Sequence, residues 1–152
     1  MSVKEELLAS WKRSRQLTKE VAEAMPAEKW DFRPTDDVMS FREQVLHILA
    51  GEQWFLRGMQ EGEWEFRPEI TLERYPDMAS TLEAVTYWTD RHAELISSIE
   101  DLDAKVTTPL KPDVPLPKRI LLQGAITHEV HHRGQLIVYL RLNGIQPPAF
   151  RF

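Results

Sequence analysis

The stretch of the chain with the greatest chemical potential is Thr127-His128-Glu129-Val130-His131-His132-Arg133-Gly134-Gln135. On a helix, positions four apart lie ~40° apart around the axis and one turn apart along it. His128 and His132 therefore share a face, where two imidazoles can converge on one metal ion. His131 is rotated away from that pair by ~60° to ~100° and is poorly placed to join it. Leu121, Ala125, Leu136, Tyr139 and Asn143 fall on the same face, so the pair points inward. The residues leave two readings: core histidines bonded to neighbours, or ligands of one ion. Burying two imidazoles side by side without a shared ligand costs desolvation at each, which favours the ion.

Read literally, His128, Glu129 and His132 also spell the H-E-x-x-H of zinc peptidases, in which the glutamate is general base. No His, Asp or Glu follows His132 to supply a third ligand. No strands that would hold an extended peptide are expected either. A peptidase is disfavoured, and Glu129 reads as a surface carboxylate or as a partner of a ligating histidine.

A third ligand must come from upstream, and three residues qualify. His47 lies about 120° from the apolar centre of its predicted helix. Glu52 lies nearer that centre, and His92 falls within an apolar stripe of its own. Periodicity ranks Glu52 and His92 at least as high as His47, while a salt-bridged carboxylate and a hydrogen-bonded core histidine explain those two equally well. Gln135, one turn beyond His132, is placed to support a ligand or meet substrate. Tyr139 lines the same face, and Arg133 lies off it, suited to a structural or subunit contact.

The elements that position these residues are helices. Val3, Leu7, Trp11, Ser14, Leu17, Val21 and Met25 recur at helical spacing before Pro26. Ser40-Phe41-Arg42-Glu43 is a capping box that predicts a second helix to about Gly62. Ser80-Thr81-Leu82-Glu83 predicts the start of a third. A proline-broken stretch, Pro109 to Pro117, precedes a fourth helix from about Lys118 to Asn143, stopped by Gly144 and Pro147-Pro148. Glu63-Trp64-Glu65-Phe66-Arg67 offers at most a short extended piece. Four such segments predict an all-α fold, a four-helix bundle, as a single domain over residues 1–152. The connections are long enough for crossovers, so helix order stays open. The fourth helix has a second apolar stripe, Leu122, Ile126, Ile137 and Leu140, as expected of a central helix or one shared between subunits.

Composition removes whole classes of function. The 152 residues carry 19 Lys and Arg against 24 Asp and Glu, a net charge of −5, which disfavours nucleic-acid binding. Five dispersed tryptophans form no base-stacking platform with basic residues. There is no glycine-rich phosphate loop and no paired E-x-x-H set for a di-iron centre. No apolar run approaches membrane-spanning length and no signal sequence is evident, so a cytoplasmic location is expected. With no cysteine, disulfides, thiolate metal sites and a cysteine nucleophile are excluded. Any metal must sit on histidine or carboxylate.

Four blocks in order carry a family resemblance. They are Trp30-Asp31-Phe32-Arg33-Pro34, Ser40-x-x-Glu43-x-x-x-His47, His128-x-x-His131-His132-Arg133-Gly134-Gln135, and Leu140-Arg141-x-x-Gly144-x-x-Pro147. Together they span nearly the whole chain and resemble the DinB-like (damage-inducible) family within the DinB/YfiT-like superfamily. The resemblance implies a four-helix bundle with crossover connections, commonly a homodimer. It also implies a divalent metal held by His47, His128 and His132, choosing His47 where periodicity does not; a kinked or rotated second helix would reconcile the two. Glu52, His92, Gln135 and Tyr139 are then candidates for the surroundings of the ligands.

Three neutral imidazoles leave an ion its full charge and an open position, so that bound water or thiol loses its proton near neutral pH. Superfamily relatives include thiol-dependent S-transferases and a mycothiol-dependent isomerase. The resemblance therefore favours a low-molecular-weight thiol as cosubstrate, activated as a metal-bound thiolate. Hydrolysis by metal-bound hydroxide is the runner-up. A non-catalytic stress-response or interaction protein stapled by its metal predicts the same residues. Zinc, nickel, iron and manganese are all acceptable to such a site.

Overall fold

A computed structural model describes all residues, 1–152. Four α-helices dominate it: α1 (Val3–Ala24), α2 (Phe41–Glu61), α3 (Met78–Ser97) and α4 (Lys118–Leu142). Two strands, β1 (Lys105–Thr108) and β2 (Lys111–Pro117), join α3 to α4. None of the helices is long and apolar enough to cross a membrane.

Local chemistry sets the helix ends. Ser2 with Glu5 and Ser40 with Glu43 form reciprocal capping boxes at the starts of α1 and α2. Gly62 and Gly144 follow α2 and α4 at φ 71° and 72°, a conformation that costs glycine little. The start of α3 differs from the sequence expectation. Asp77, not Ser80, is the cap: its carboxylate accepts from the Ser80 amide at 2.8 Å, and the Ser80 hydroxyl accepts from the Asp77 amide at 3.2 Å. An aspartate directly after Pro76 captures the free amides three residues ahead of the predicted box.

The proline-broken stretch also differs, because it is a β-hairpin. Val106 pairs with Leu116 and Lys105 with Pro117, with an irregularity between Val106 and Thr108. A two-stranded sheet is all edge, so Pro112 and Pro115 need not donate to a ladder. The piece from Glu63 to Arg67 forms no strand.

The main packing partners of α1 are α3 and α4, and those of α2 are the same two helices. Thus α1 lies diagonal to α2, and α3 diagonal to α4. The apolar core has two parts that also fix direction. Val21, Ala22 and Met25 at the end of α1 pack with Val45 and Leu46 of α2, Ala84 and Val85 of α3, and Leu136 and Leu140 of α4. At the other end Trp11 packs with Phe55, Leu56, Ile96, Leu121 and Leu122. Helices α1 and α4 therefore run one way, and α2 and α3 the other. Because α2 and α3 are parallel neighbours, residues 62–77 must cross the length of the bundle, a crossover like that of other bundles with non-sequential order.

Between the two apolar clusters lies a polar layer. Arg15, Gln44, Glu52, His92, Glu129 and His132 are each no more than 8% exposed. So many buried polar groups are stable only where each finds a partner, and most of them fall into two separate sets.

Candidate metal centre

The first set lies where α2 faces α4. His47, His128 and His132 each offer a ring nitrogen to one point, with all three atoms within 4.8 Å of one another. The ring centroids form a near-regular triangle, 4.5 Å from His132 to each of the others and 5.0 Å between His47 and His128. The Nε2 atoms of His47 and His128 are 3.1 Å apart. Two nitrogens bound tetrahedrally to one zinc-like ion lie about 3.4 Å apart, so little adjustment separates this arrangement from a coordination sphere.

Glycine makes the convergence possible. A Cβ at Gly51 would stand 2.5 Å from Cε1 of His128, closer than atoms tolerate, so a bare backbone at this turn of α2 admits the His128 ring. Helix α2 need not be kinked to present His47. Because it packs on both α3 and α4, its buried arc is wide, and His47 sits at the edge of that arc facing α4.

The ligand chemistry fits a cation. Burial pushes His128 and His132 each down to about 4, helped by the neighbouring imidazoles, and lowers His47 as well. All three are neutral at pH 7, with lone pairs available. Hydrogen bonding then settles which nitrogen His132 exposes. The Tyr139 hydroxyl donates to the Met39 carbonyl at 2.7 Å, leaving its oxygen to accept from the Gln44 side-chain amide at 3.4 Å. The same amide donates to Oε1 of Gln135. The Gln44 oxygen must then face Nδ1 of His132, 2.7 Å away, which carries the proton. A main-chain carbonyl thus fixes the His132 tautomer through two side chains, and Nε2 is left free to bind. Gln135 reaches in turn to Nε2 of the exposed His131 at 3.1 Å.

The second set lies about 100° round α2 and α4 from Gly51 and His128, with Arg15 of α1. Glu129 is neither a surface carboxylate nor a partner of a ligating histidine: it is fully buried and accepts from Nε of Arg15 at 2.9 Å and from Nη2 at 3.4 Å. Helix periodicity explains the correction, since the residue after an inward His128 swings ~100° toward α1. Glu52 stands 3.7 Å from the same arginine. One buried cation cannot neutralise two carboxylates, and burial pushes Glu52 up to about 8, so it holds a proton at pH 7. Its Oε1 has no hydrogen bond. Arg15 carries no expectation from the sequence, although its place one turn after Trp11 puts a cation inside the α1 stripe. Arg133 joins α4 to α1, donating to the Ser14 carbonyl at 2.9 Å and hydroxyl at 2.8 Å.

His92 belongs to neither set. It is wholly buried, and its Nε2 meets Oε1 of Gln53 at 3.0 Å. Of the sequence candidates, the structure therefore brings His47, His128 and His132 together, with Gln135 and Tyr139 behind them through Gln44. Glu52 and His92 lie outside the cluster. Gln44 is the supporting residue that sequence reasoning misses. The signal that could have found it is the run Gln44, His47, Gly51, each about one turn from the next along α2.

Comparison with known proteins agrees with this architecture. The family model described as "DinB family" matches residues 1–152. The uncharacterized protein YjoA of Bacillus subtilis (strain 168) is 30% identical over 132 residues, covering 86% of this chain and 84% of YjoA. The crystal structure of that DinB-like protein superposes with a TM-score of 0.77 at 24% identity, covering 95% of this chain and 96% of the other. A DinB-like protein from Bacillus cereus ATCC 10987 superposes with a TM-score of 0.78 at 22% identity, covering 97% of each chain. On the match of its whole length, the chain belongs to the DinB family.

Proposed function

We propose that His47, His128 and His132 hold one divalent metal ion, and that the protein uses it to transfer a small-molecule thiol to an electrophile. The observation that carries this reading is the convergence of three neutral imidazoles with no carboxylate among them. Glu52 and Glu129, the nearby acids, are turned to Arg15. A site with three protein ligands keeps a position open for a reactant, whereas a purely structural ion is usually enclosed by four.

When bound, the ion supplies Lewis acidity that lets a thiol lose its proton near neutral pH. The chain's own contribution is positional. Gln44 holds His132 in the tautomer that exposes Nε2, and Gly51 leaves room for His128. In the transfer, a carbon–sulfur bond forms as the carbon–leaving-group bond breaks, and the thiol proton leaves with the displaced group. The chain has no cysteine, so the sulfur must come from a cosubstrate.

The test is turnover of metal-loaded protein with a panel of low-molecular-weight thiols and an aryl halide. Thiol consumption that needs both the metal and His132 supports the transferase. Ester hydrolysis in thiol-free buffer, with no thiol turnover, would replace it with the hydrolase. Pairing of two copies belongs to the same proposal. Val130, Val138 and Leu142 are about half exposed along the outer side of α4, and nothing packs over Gly134. Val138→Lys should convert a dimer to monomer in sedimentation, and a wild-type monomer would rule the pairing out.

A further inference from the structure

A cleft of about 620 Å³ lies between α2, α3 and the crossover of residues 62–77, apart from the histidines. Its size suits a small ligand. Four of the twelve arginines line it, Arg57, Arg67, Arg74 and Arg91, on a chain whose net charge is −5.

Most of these charges are already matched. Glu61 and Glu63 hold Arg57, Glu63 also holds Arg67, and Glu94 holds Arg91. Two lining groups have no ion-pair partner: the Arg74 guanidinium and the Glu69 carboxylate. They form no pair with each other, although Arg74 touches the Glu69 carbonyl at 3.5 Å. Both are held in place. Glu69 accepts at 3.4 Å from the Gln53 amide, whose oxygen is fixed by the buried His92 at 3.0 Å. A second cationic edge comes from Arg57, which is only 5% exposed. Its Nε and Nη2 are bonded to glutamates, while Nη1 has no hydrogen bond and is not sealed from solvent.

Part of the lining is aromatic. Trp88, 7% exposed, has its indole N–H engaged by the Tyr75 hydroxyl at 3.1 Å, so the edge it shows the cleft is apolar ring, and the exposed Tyr87 packs beside it.

We propose that this cleft binds a small zwitterion of the amino-acid type with an aromatic or apolar body. Its carboxylate meets Arg74 and the free edge of Arg57, its ammonium meets Glu69, and its body lies against Tyr87 and the exposed edge of Trp88. This inference does not depend on the metal.

The test is calorimetric titration of the full chain with L-phenylalanine, phenethylamine and 3-phenylpropanoate, which share a body and differ in charge. Saturable binding of the amino acid is expected, about tenfold or more tighter than either analogue, as charge-assisted hydrogen bonds allow. Arg74→Gln should lower amino-acid affinity by about as much. Glu69→Gln should weaken the amino acid and spare 3-phenylpropanoate. Neither residue is buried, so unchanged melting of both variants checks that the fold persists. Absence of saturable binding, equal binding of the three probes, or binding that neither variant weakens would overturn the proposal.

Discussion

Two polar sets share the middle of the bundle and are built from residues adjacent in sequence. Gly51 and His128 serve the histidine set, while Glu52 and Glu129 serve the arginine set. The arginine set is nearly self-sufficient: its cation has a hydrogen-bonded partner in Glu129, and its surplus carboxylate holds a proton. The histidine set is not. Its imidazoles bring one ring nitrogen each to a common point and have no protein cation between them. One set matches its own charge within the fold, and the other is a group of three histidines that could hold a metal ion. Alternation around two helices lets a single layer carry both.

The largest effect should come from breaking the arginine set. Glu129→Ala leaves Arg15 buried without its closest partner and should cost about 3–5 kcal/mol in chemical denaturation. Replacing both residues with apolar side chains of similar size should recover much of that loss. If Glu129→Ala is neutral, the ion pair is not what closes this side of the layer.

Loss of a ligand should act on metal and not on fold. His128→Ala or His132→Ala should weaken divalent-ion binding by about a hundredfold or more, because the site's binding free energy is shared among few ligands. Metal-free melting should change little. Behind them, Gln44→Leu should weaken binding by about 10–100-fold, and Gln44→Glu, which keeps an acceptor for His132, should rescue it. A purely structural Gln44 would lower stability in both variants and leave affinity intact.

The smallest effects separate the two sets by the sign of their pH dependence. Histidines held near 4 refuse protons that the unfolded chain accepts around 6.5. Metal-free protein should therefore lose stability as pH falls through that range. Glu52 does the opposite. Its folded value of about 8 lies above the ordinary 4.5, so its contribution is full below about 4.5 and is lost as pH rises from there to 8. Glu52→Gln should remove that loss between pH 4.5 and 8 and stabilise the protein at pH 8 by about 1–2 kcal/mol. An unchanged slope across that range would mean that Glu52 is already ionised at neutral pH.

The helices were legible because their signals are local. Ser40 and Glu43 cap α2 with groups three residues apart, and Gly144 ends α4 through its own backbone freedom. The hairpin was hidden because prolines argue against strands, and a two-stranded sheet, being all edge, accepts Pro112 and Pro115. His128 and His132 could be paired from one helix. The place of His47 depends on how α2 is shared between α3 and α4, which no single-helix periodicity contains. Arg15 escaped notice because its partners lie on α2 and α4, 37 and 114 residues away.

Metal titration of metal-free protein tests the central claim most directly, read by calorimetry and by metal content after gel filtration. Binding of one divalent ion per chain, lost in His47→Ala, His128→Ala and His132→Ala alike, is the predicted result. Failure of the wild-type chain to retain any divalent ion, or retention that survives all three substitutions, would contradict it.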